Sequence, residues 1–231
     1  MDKNFNSIRY CSDLPINSVE KIRINKLLKL IGKKKNVLDL GCWDGSISEI
    51  IKKNDNNVSG IEISNNAIKK ARKKGIEVFD IDLNVDWQGS IKEKYDVVLA
   101  GEIIEHIFDT DKFLQNIYNV LTENGCLVLS TPNIASLGRR MFLLFGINPL
   151  IETTGRNYDA GHIRYFTFNS LKQLLEENNF KVISYTSDCV NFDKNGLIKT
   201  SLLSDIFPKF GRSLIIKALK IINKQNSNNT K

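Results

Sequence analysis

Short apolar runs alternate with amphipathic stretches between residues 37 and 133 of the chain. Each run has the length and the bounding turns of a buried strand, and the stretches between them carry apolar residues at helical spacing. Strands that alternate with helices predict an open, doubly wound, mostly parallel sheet of the α/β class. Ligands bind such sheets outside the carboxyl ends of the strands. The predicted strands lie at residues 37–40, 58–64, 76–82, 95–101 and 125–133.

The regions on either side of this alternation complete one predicted domain, residues 1–223. Residues 1–36, with a helix before the first strand, form an N-terminal cap on the core at 37–133. Residues 134–168 form an insertion after strand five, which we interpret as a lid on the substrate side. Residues 169–223 add a helix and the last strands. The polar tail at 224–231 is predicted to be disordered.

Two apolar stretches each fit more than one structure. Residues 207–222 suit either a closing antiparallel strand or an amphipathic helix, because periodicity does not separate the two over so short a run. The apolar part of the insertion, at 134–151, suits either a packed cap or a surface that meets a lipid-like substrate or a membrane.

The turn after the first strand carries the strongest chemical signal in the chain. Asp39 lies near the end of an apolar strand that runs into a turn with Gly41 and Gly45, and a helical pattern follows. Glycines let the backbone approach a ligand closely, and a helix start offers N–H groups to it. Glu62 lies 21 residues after Gly41, where an acid can accept hydrogen bonds from ribose hydroxyls. The third glycine of the dinucleotide fingerprint is missing, which argues against a nicotinamide dehydrogenase.

A second group of chemically capable residues follows the fourth predicted strand. Glu102, Glu105 and His106 stand at i, i+3 and i+4, a spacing that one helical turn would place on a single face. His162, in the insertion, is the only other histidine of the chain.

The row from Val37 to Gly45 resembles motif I of the class I S-adenosylmethionine-dependent methyltransferases. It differs at Trp43, where that family usually has glycine. The resemblance implies a Rossmann-like sheet whose last strand is antiparallel, which favours the strand for residues 207–222. It also implies S-adenosylmethionine as cofactor. The binding residues it implies are Asp39, Gly41, Cys42, Trp43, Gly45, Glu62, Ile63, Asp82, Leu83 and Gly101.

The E-x-x-E-H row and the later S-T-P-N row resemble two branches of that family. One contains the O-methyltransferases of ubiquinone biosynthesis, and the other the small-RNA 2′-O-methyltransferases. The resemblance implies that Glu102, Glu105, His106 and His162 hold a divalent ion such as Mg²⁺, which would lower the pKa of an acceptor hydroxyl. Catalysis is then assigned to His106, His162 and Glu105. Two other readings stay open: a histidine acting as general base without metal, and hydrated charges with a structural role only.

Composition narrows the partners and the compartment. The net charge of +7 comes from lysines spread along helix faces without interleaved aromatic residues, which argues against nucleic acid as partner. The four cysteines form no C-x-x-C pair, and the N-terminus has no apolar signal core, so we expect reduced thiols and a cytoplasmic protein. Expected acceptors are a polyprenyl phenol, a glycan hydroxyl or another small hydroxylated molecule. The alternatives are a non-catalytic S-adenosylmethionine-binding module and a nucleic-acid methyltransferase.

Overall fold

The computed structural model describes residues 18–149, 161–191 and 199–222 of the chain. The helices among them are α1 (Ser18–Ile31), α2 (Ser46–Lys53), α3 (Asn65–Lys73), α4 (Thr110–Val120), α5 (Leu137–Leu144), α6 (Phe168–Glu177) and α7 (Ser201–Ile206). The strands are β1 (Asn36–Leu40), β2 (Asn57–Glu62), β3 (Glu77–Asp80), β4 (Tyr95–Gly101), β5 (Leu121–Pro132), β6 (Phe180–Thr186), β7 (Val190–Asn191), β8 (Lys199–Thr200) and β9 (Ser213–Lys220).

Seven of these strands form one twisted sheet in the order β3-β2-β1-β4-β5-β9-β6. The neighbours β3, β2, β1, β4 and β5 pair in parallel, whereas β9 runs antiparallel to both β5 and β6. The predicted doubly wound α/β sheet with an antiparallel last strand is therefore confirmed. β7 and β8 form a separate two-stranded ribbon.

The closing segment is a strand, and the helical alternative for it was wrong. Leu214 and Ile216 of β9 pack into one layer of the core, while Ile215 between them packs into the other. This alternation has the period of a strand, and β9 buries both faces because helices cover both sides of the sheet.

Two helical layers cover the sheet. On one face α1 contributes Leu27 and Ile31, and α2 contributes Ile51, to a cluster with the odd-numbered positions of β1 and β4. On the other face α4 and α6 pack against the even-numbered positions of the same strands. Both layers leave the carboxyl ends of β1, β2 and β4 at one edge, where the predicted site residues are found.

Two local predictions need correction. Strand β3 ends at Asp80, so Asp82 lies in the turn beyond it rather than at the strand end. Glu102 also does not share a helical turn with Glu105 and His106. Its N–H donates to the Ser130 carbonyl (2.8 Å) and its φ is 58°, so it still belongs to the sheet edge, and the 3₁₀ turn starts only at Ile104.

The described part of the insertion consists of α5 and a chain segment at 161–167 that returns to the site. Asn133 pairs with Phe166, and the Ile134 N–H donates to the Phe166 carbonyl (3.0 Å). The rest of the predicted lid (150–160), the first 17 residues of the cap and the predicted tail lie outside the described residues.

Three cysteines, Cys42, Cys126 and Cys189, are buried and form no disulfide among the described residues. Within the same residues, no helix has the length and apolar character that crossing a bilayer requires.

Candidate functional site

A cavity of about 270 Å³ opens at the carboxyl ends of β1, β2 and β4. Its described lining contains three acidic residues and no lysine or arginine, so it suits a ligand that carries positive charge. The predicted cofactor residues on its wall are Gly41, Trp43, Glu62, Ile63, Asp82, Leu83 and Gly101, and two predicted ligand residues, Glu102 and His106, join them. Sequence reasoning missed the remaining wall residues, Ile81, Asn84, Ile103 and Ile107.

Glu62 is held rigidly at the end of β2 by backbone donors. Its Oε2 accepts from the Trp43 N–H (3.0 Å), and its Oε1 accepts from the N–H groups of Ile63 (2.9 Å) and Ser64 (2.8 Å). A carboxylate offers about four lone-pair sites, and three are used here, so Oε2 can still accept from a hydroxyl on a ligand.

The turn after β1 needs glycine at Gly41. Its φ is 68°, and a Cβ there would lie 2.2 Å from Ile103 Cδ1, on the opposite wall of the cavity. Trp43 also has a positive φ, 49°, which costs a residue with a side chain of the order of 1–2 kcal/mol. The half-buried indole lines the cavity, so the strained residue presents a large aromatic surface where glycine would present none.

Three predicted cofactor residues lie behind the cavity wall instead of on it. Gly45 begins α2 at a positive φ and packs so closely on Ala71 that a Cβ would lie 2.9 Å away. Cys42 packs into a small apolar cluster with α3. Asp39 is buried and accepts a hydrogen bond from Ser48 Oγ (2.6 Å). The structure therefore places Gly45 and the side chains of Cys42 and Asp39 behind the cavity wall, where they contact α2 and α3.

Two acids of this turn have opposite electrostatics. Burial raises the pKa of Asp39 from 3.8 to about 7, and the nearby Glu62 adds to the rise. Burial also raises the pKa of Asp44, but hydrogen bonds from Lys74 and Ser46 outweigh it, so that this pKa lies below its ordinary value. The turn therefore keeps its outer acid charged and favours the protonated form of its inner one.

A buried arginine from α1 reaches the same edge of the sheet. Arg23 Nη1 donates to Ser130 Oγ (3.2 Å) and lies 3.9 Å from Glu102 Oε1. Ser130 Oγ in turn donates to Glu102 Oε1 (2.9 Å). A Cβ placed on Gly101 would lie 3.6 Å from Arg23 Nη1, so the guanidinium rests against the cavity wall. Sequence reasoning missed Arg23, because a single arginine among the lysines of α1 gives no signal.

Three of the four predicted metal-binding residues come together. Glu105, His106 and His162 each offer a ligand atom, and these atoms lie within 4.8 Å of one another. His106 Nδ1 lies 3.1 Å from the Gly161 carbonyl, and the two imidazole rings are 5.0 Å apart between centroids. Glu102 lies outside this group, because Ser130 and Arg23 hold its carboxylate.

Glu105 is the most unusual of these side chains. It is 1% exposed, its Oε2 accepts from Thr131 Oγ1 (2.9 Å), and its Oε1 has no hydrogen-bond partner among the described residues. His162 Nε2 lies 3.9 Å from Oε1. Burial, with a contribution from Glu102, raises the pKa of Glu105 to about 8. A buried polar atom without a partner is costly, which indicates a site that a ligand completes.

The donor set fits a divalent ion. One carboxylate oxygen and two imidazole nitrogens are ligands that Mn²⁺ and Zn²⁺ accept readily, and Mg²⁺ accepts the carboxylate with water. If Nδ1 of His106 donates to the Gly161 carbonyl, Nε2 is the ring atom that carries the lone pair, as in many metal-binding histidines. Glu105 Oε1, which has no hydrogen-bond partner among the described residues, likewise has lone pairs available for the ion.

The loop at the cavity mouth is pinned from two sides. The Asn84 side-chain carbonyl accepts from the Phe108 N–H (2.9 Å). Arg164 donates to the carbonyls of Ile107 (2.9 Å) and Phe108. The N–H groups of Ile163 and Arg164 also donate to the Glu105 carbonyl (3.0 and 3.2 Å). These bonds explain how His162, distant in sequence, is brought to Glu105.

Comparisons with known proteins identify the family to which this chain belongs. A family model described as a methyltransferase domain matches residues 20–185. The chain is similar to ubiquinone biosynthesis O-methyltransferases, 31% identical over 154 residues for that of Actinobacillus pleuropneumoniae and 29% over 126 residues for that of Nitrosomonas europaea. The aligned segments cover 60% and 52% of this chain, and 63% and 54% of the relatives, so the chain spans less than two thirds of their length.

Solved structures share the fold at low sequence identity. The N-methyltransferase NodS of Bradyrhizobium japonicum, in complex with S-adenosyl-L-homocysteine, is 16% identical with a TM-score of 0.64, over 95% of this chain and 99% of its own. A possible histamine N-methyltransferase of Thermotoga maritima is also 16% identical, with a TM-score of 0.63 over 87% of this chain and 91% of its own.

Proposed function

Because the chain belongs to the family of S-adenosylmethionine-dependent methyltransferase domains, we propose that it methylates a hydroxyl oxygen of a small, lipid-linked or glycan acceptor. The observation that carries the oxygen assignment is the group formed by Glu105, His106 and His162 beside the cavity. An oxygen acceptor must lose a proton to become a strong nucleophile, and this group supplies the basic atoms for that step.

The donor is oriented by charges at the two ends of the cavity. Glu62 accepts from the ribose hydroxyls, and Asp82 and Leu83 lie beside the adenine. Arg23 binds the carboxylate of the methionine part, because its guanidinium lies directly behind Gly101 of the cavity wall and the described lining itself contains no lysine or arginine. The acidic wall favours the ammonium and sulfonium charges of the donor.

Methyl transfer then depends on the relative positions of the acceptor oxygen and the methyl group of the donor. The acceptor oxygen attacks the methyl carbon in line with the carbon–sulfur bond, that bond breaks, and its electron pair stays on sulfur to leave neutral S-adenosylhomocysteine. The acceptor proton passes to His106, which lines the cavity, or to His162 next to it. The Gly161 carbonyl orients the His106 imidazole, and Glu105 Oε1 lies 3.9 Å from His162 Nε2.

A divalent ion, when bound by Glu105, His106 and His162, would lower the pKa of the acceptor hydroxyl and fix its direction. Glu102 lines the cavity without joining this set. The acceptor hydroxyl can lose its proton with the help of a bound ion or to a histidine without metal. In either case the same three side chains face the acceptor.

Transfer of labelled methyl groups tests this proposal. Purified protein is incubated with methyl-labelled S-adenosylmethionine, with and without Mg²⁺ or Mn²⁺, and with phenols, sugar hydroxyls and amines as acceptors. We expect label on phenolic or sugar oxygen. Label on amines alone would contradict the oxygen assignment, and donor binding without transfer to any acceptor class would support a binding module instead.

A further inference from the structure

Exposed apolar side chains are concentrated on one surface of the molecule. Of the eight large apolar side chains that are more than half exposed in the described part of the chain, six lie on α5, on α7 or on the residue directly after one of these helices. We name this surface the apolar patch. Its members, with their exposed fractions, are Leu143 (58%), Leu144 (73%), Phe145 (70%), Leu202 (71%), Ile206 (61%) and Phe207 (51%).

Ring contacts through Phe210 link α5 to the end of α7. The Arg140 guanidinium of α5 lies 5.3 Å above the Phe210 ring, and that ring lies 6.2 Å from Phe207 at the end of α7. Both helices are also fixed to the chain around β7, α5 through the close approach of Gly138 to the Asn191 carbonyl and α7 through Ser204 Oγ, which donates to the Asp188 carbonyl (3.1 Å).

The patch lies at the same edge of the sheet as the catalytic group. Strand β9 begins beside the end of β5, with Ser213 opposite Pro132, and α5 starts directly after β5. The Asn133–Phe166 bridge ties the root of α5 to the segment that carries His162. The patch is therefore connected to the edge of the sheet that carries the catalytic group.

The charges around the patch are positive. Residues 137–149 contain no acid, and Arg140 is the exposed cation among them. Lys209, also exposed and three residues after α7, adds a second cation. The acid on α7, Asp205, is ion-paired with Lys26. Exposed leucine and phenylalanine on short helices, bordered by arginine and lysine, match the interfacial region of an anionic bilayer, where apolar side chains enter the acyl boundary and cations meet headgroups.

We propose that the apolar patch docks the protein on an anionic membrane surface, with the catalytic edge of the sheet turned toward the lipid headgroups. Burial of six exposed apolar side chains supplies the main attraction, and the cations select acidic lipid. The proposal does not depend on the identity of the acceptor, and a bilayer test without cofactor separates it from the methyltransferase function.

Vesicle co-sedimentation tests the proposal on the full chain. Vesicles of phosphatidylcholine with phosphatidylglycerol are compared with vesicles of phosphatidylcholine alone. We expect binding to the mixed vesicles and weaker binding to the neutral ones. Leu144→Glu is expected to weaken binding to mixed vesicles about tenfold or more, and Leu202→Glu to do the same from the second helix. Arg140→Gln with Lys209→Gln is expected to weaken it about fivefold per charge and to remove the preference for anionic lipid.

A matched control separates docking from general surface hydrophobicity. Ile183→Glu changes a side chain that is 47% exposed on β6, away from the patch, and is expected to leave vesicle binding unchanged. All variants should keep the affinity of the wild type for S-adenosylhomocysteine, which reports that they fold. Absence of wild-type binding to mixed vesicles, or equal binding by Leu144→Glu, overturns the proposal. So does a dimer in light scattering that Leu144→Glu abolishes when no vesicle binding is seen, because a second copy then covers the patch.

Discussion

The two halves of the site are built in different ways. On the cofactor side, Glu62 receives its hydrogen bonds from three backbone N–H groups, and its carboxylate is fully held before any ligand arrives. On the acceptor side, Glu105 keeps a buried oxygen without a hydrogen-bond partner among the described residues. Backbone donors make the first half rigid, whereas the second half is assembled from side chains of separate segments and depends on a ligand or a proton for completion. Changes on the two sides should therefore affect different steps of the reaction.

The largest effect is expected from Glu105→Gln. The amide keeps the shape and can still accept from Thr131, but it neither binds a metal well nor takes a proton. We expect kcat for methyl transfer to fall about 100- to 10,000-fold, with the affinity for S-adenosylhomocysteine unchanged. Binding of Mn²⁺, followed by electron paramagnetic resonance, should be lost in the same variant if the site holds metal.

Glu123→Gln, at an exposed position of β5, is the matched control for that variant. It should leave kcat at the wild-type level. An unchanged kcat in Glu105→Gln itself would leave Glu105 with a structural role only.

The next effect concerns the cofactor alone. Glu62→Ala removes the acceptor of the ribose hydroxyls and leaves three backbone N–H groups without their carboxylate. We expect the affinity for S-adenosylhomocysteine to fall about 100-fold or more, since hydrogen bonds to a charged group contribute about 1.5–3 kcal/mol each. Calorimetric titration measures this loss, and Glu176→Ala on the surface of α6 serves as the control. An equal affinity in Glu62→Ala would refute the ribose assignment.

A smaller effect distinguishes the two ends of the donor. Arg23→Ala should weaken binding of S-adenosylhomocysteine about tenfold, because one charged contact to its carboxylate is lost. It should leave the affinity for 5′-methylthioadenosine unchanged, because that molecule has no amino-acid part. If both ligands lose affinity equally, Arg23 supports the fold of the edge through Ser130 and Glu102 rather than binding the carboxylate.

The smallest effect on function is expected from substitution of the two acids of the turn after β1, Asp39 and Asp44. These substitutions should instead change how the stability of the protein depends on pH. Folded Asp39, with a pKa of about 7, retains its proton at pH values where the unfolded chain has lost it. Between about pH 4 and 7 the folded state therefore binds more protons, and this group makes the free energy of unfolding fall as pH rises, by at most about 1.4 kcal/mol per pH unit. Asp39→Asn should remove this part of the slope in denaturant titrations.

Asp44→Asn is the comparison for that measurement. Its pKa is lowered in the fold, so its stabilising contribution is present above its ordinary pKa of 3.8 and is lost as pH falls below it. The two substitutions should thus change the pH profile in opposite senses. Identical profiles for both variants would contradict the opposite electrostatics of the turn.

The sequence predicts the cofactor half better than the acceptor half, for a physical reason. The turn after β1 and the acid at the end of β2 are set by short-range spacing along the chain. The partners of Glu102 are not local: Ser130 comes from β5 and Arg23 from α1, and together they hold its carboxylate apart from Glu105. The i, i+3 and i+4 spacing predicted that Glu102, Glu105 and His106 share one helical face. Spacing along one segment carries no information on partners from other strands, so it could not predict that Glu102 is held apart.

The meeting of His162 with Glu105 was suggested by resemblance, and its structural cause is tertiary. The backbone of the segment after the insertion donates twice to the Glu105 carbonyl, and Arg164 fixes the neighbouring loop. No pattern in residues 161–167 identifies those acceptors. Arg23 and Asn84 were missed for the same reason, since each acts on a chain segment far from its own position in the sequence.

Calorimetric titration of the purified protein with S-adenosylmethionine and S-adenosylhomocysteine, with and without Mg²⁺, is the first experiment to perform. The rigid acidic cavity predicts saturable binding of both ligands with micromolar dissociation constants. It predicts no requirement for the ion, because the group proposed to bind metal lies on the proposed acceptor side. Absence of binding by either ligand would contradict this account and would mean that Trp43 closes the pocket that glycine usually leaves open.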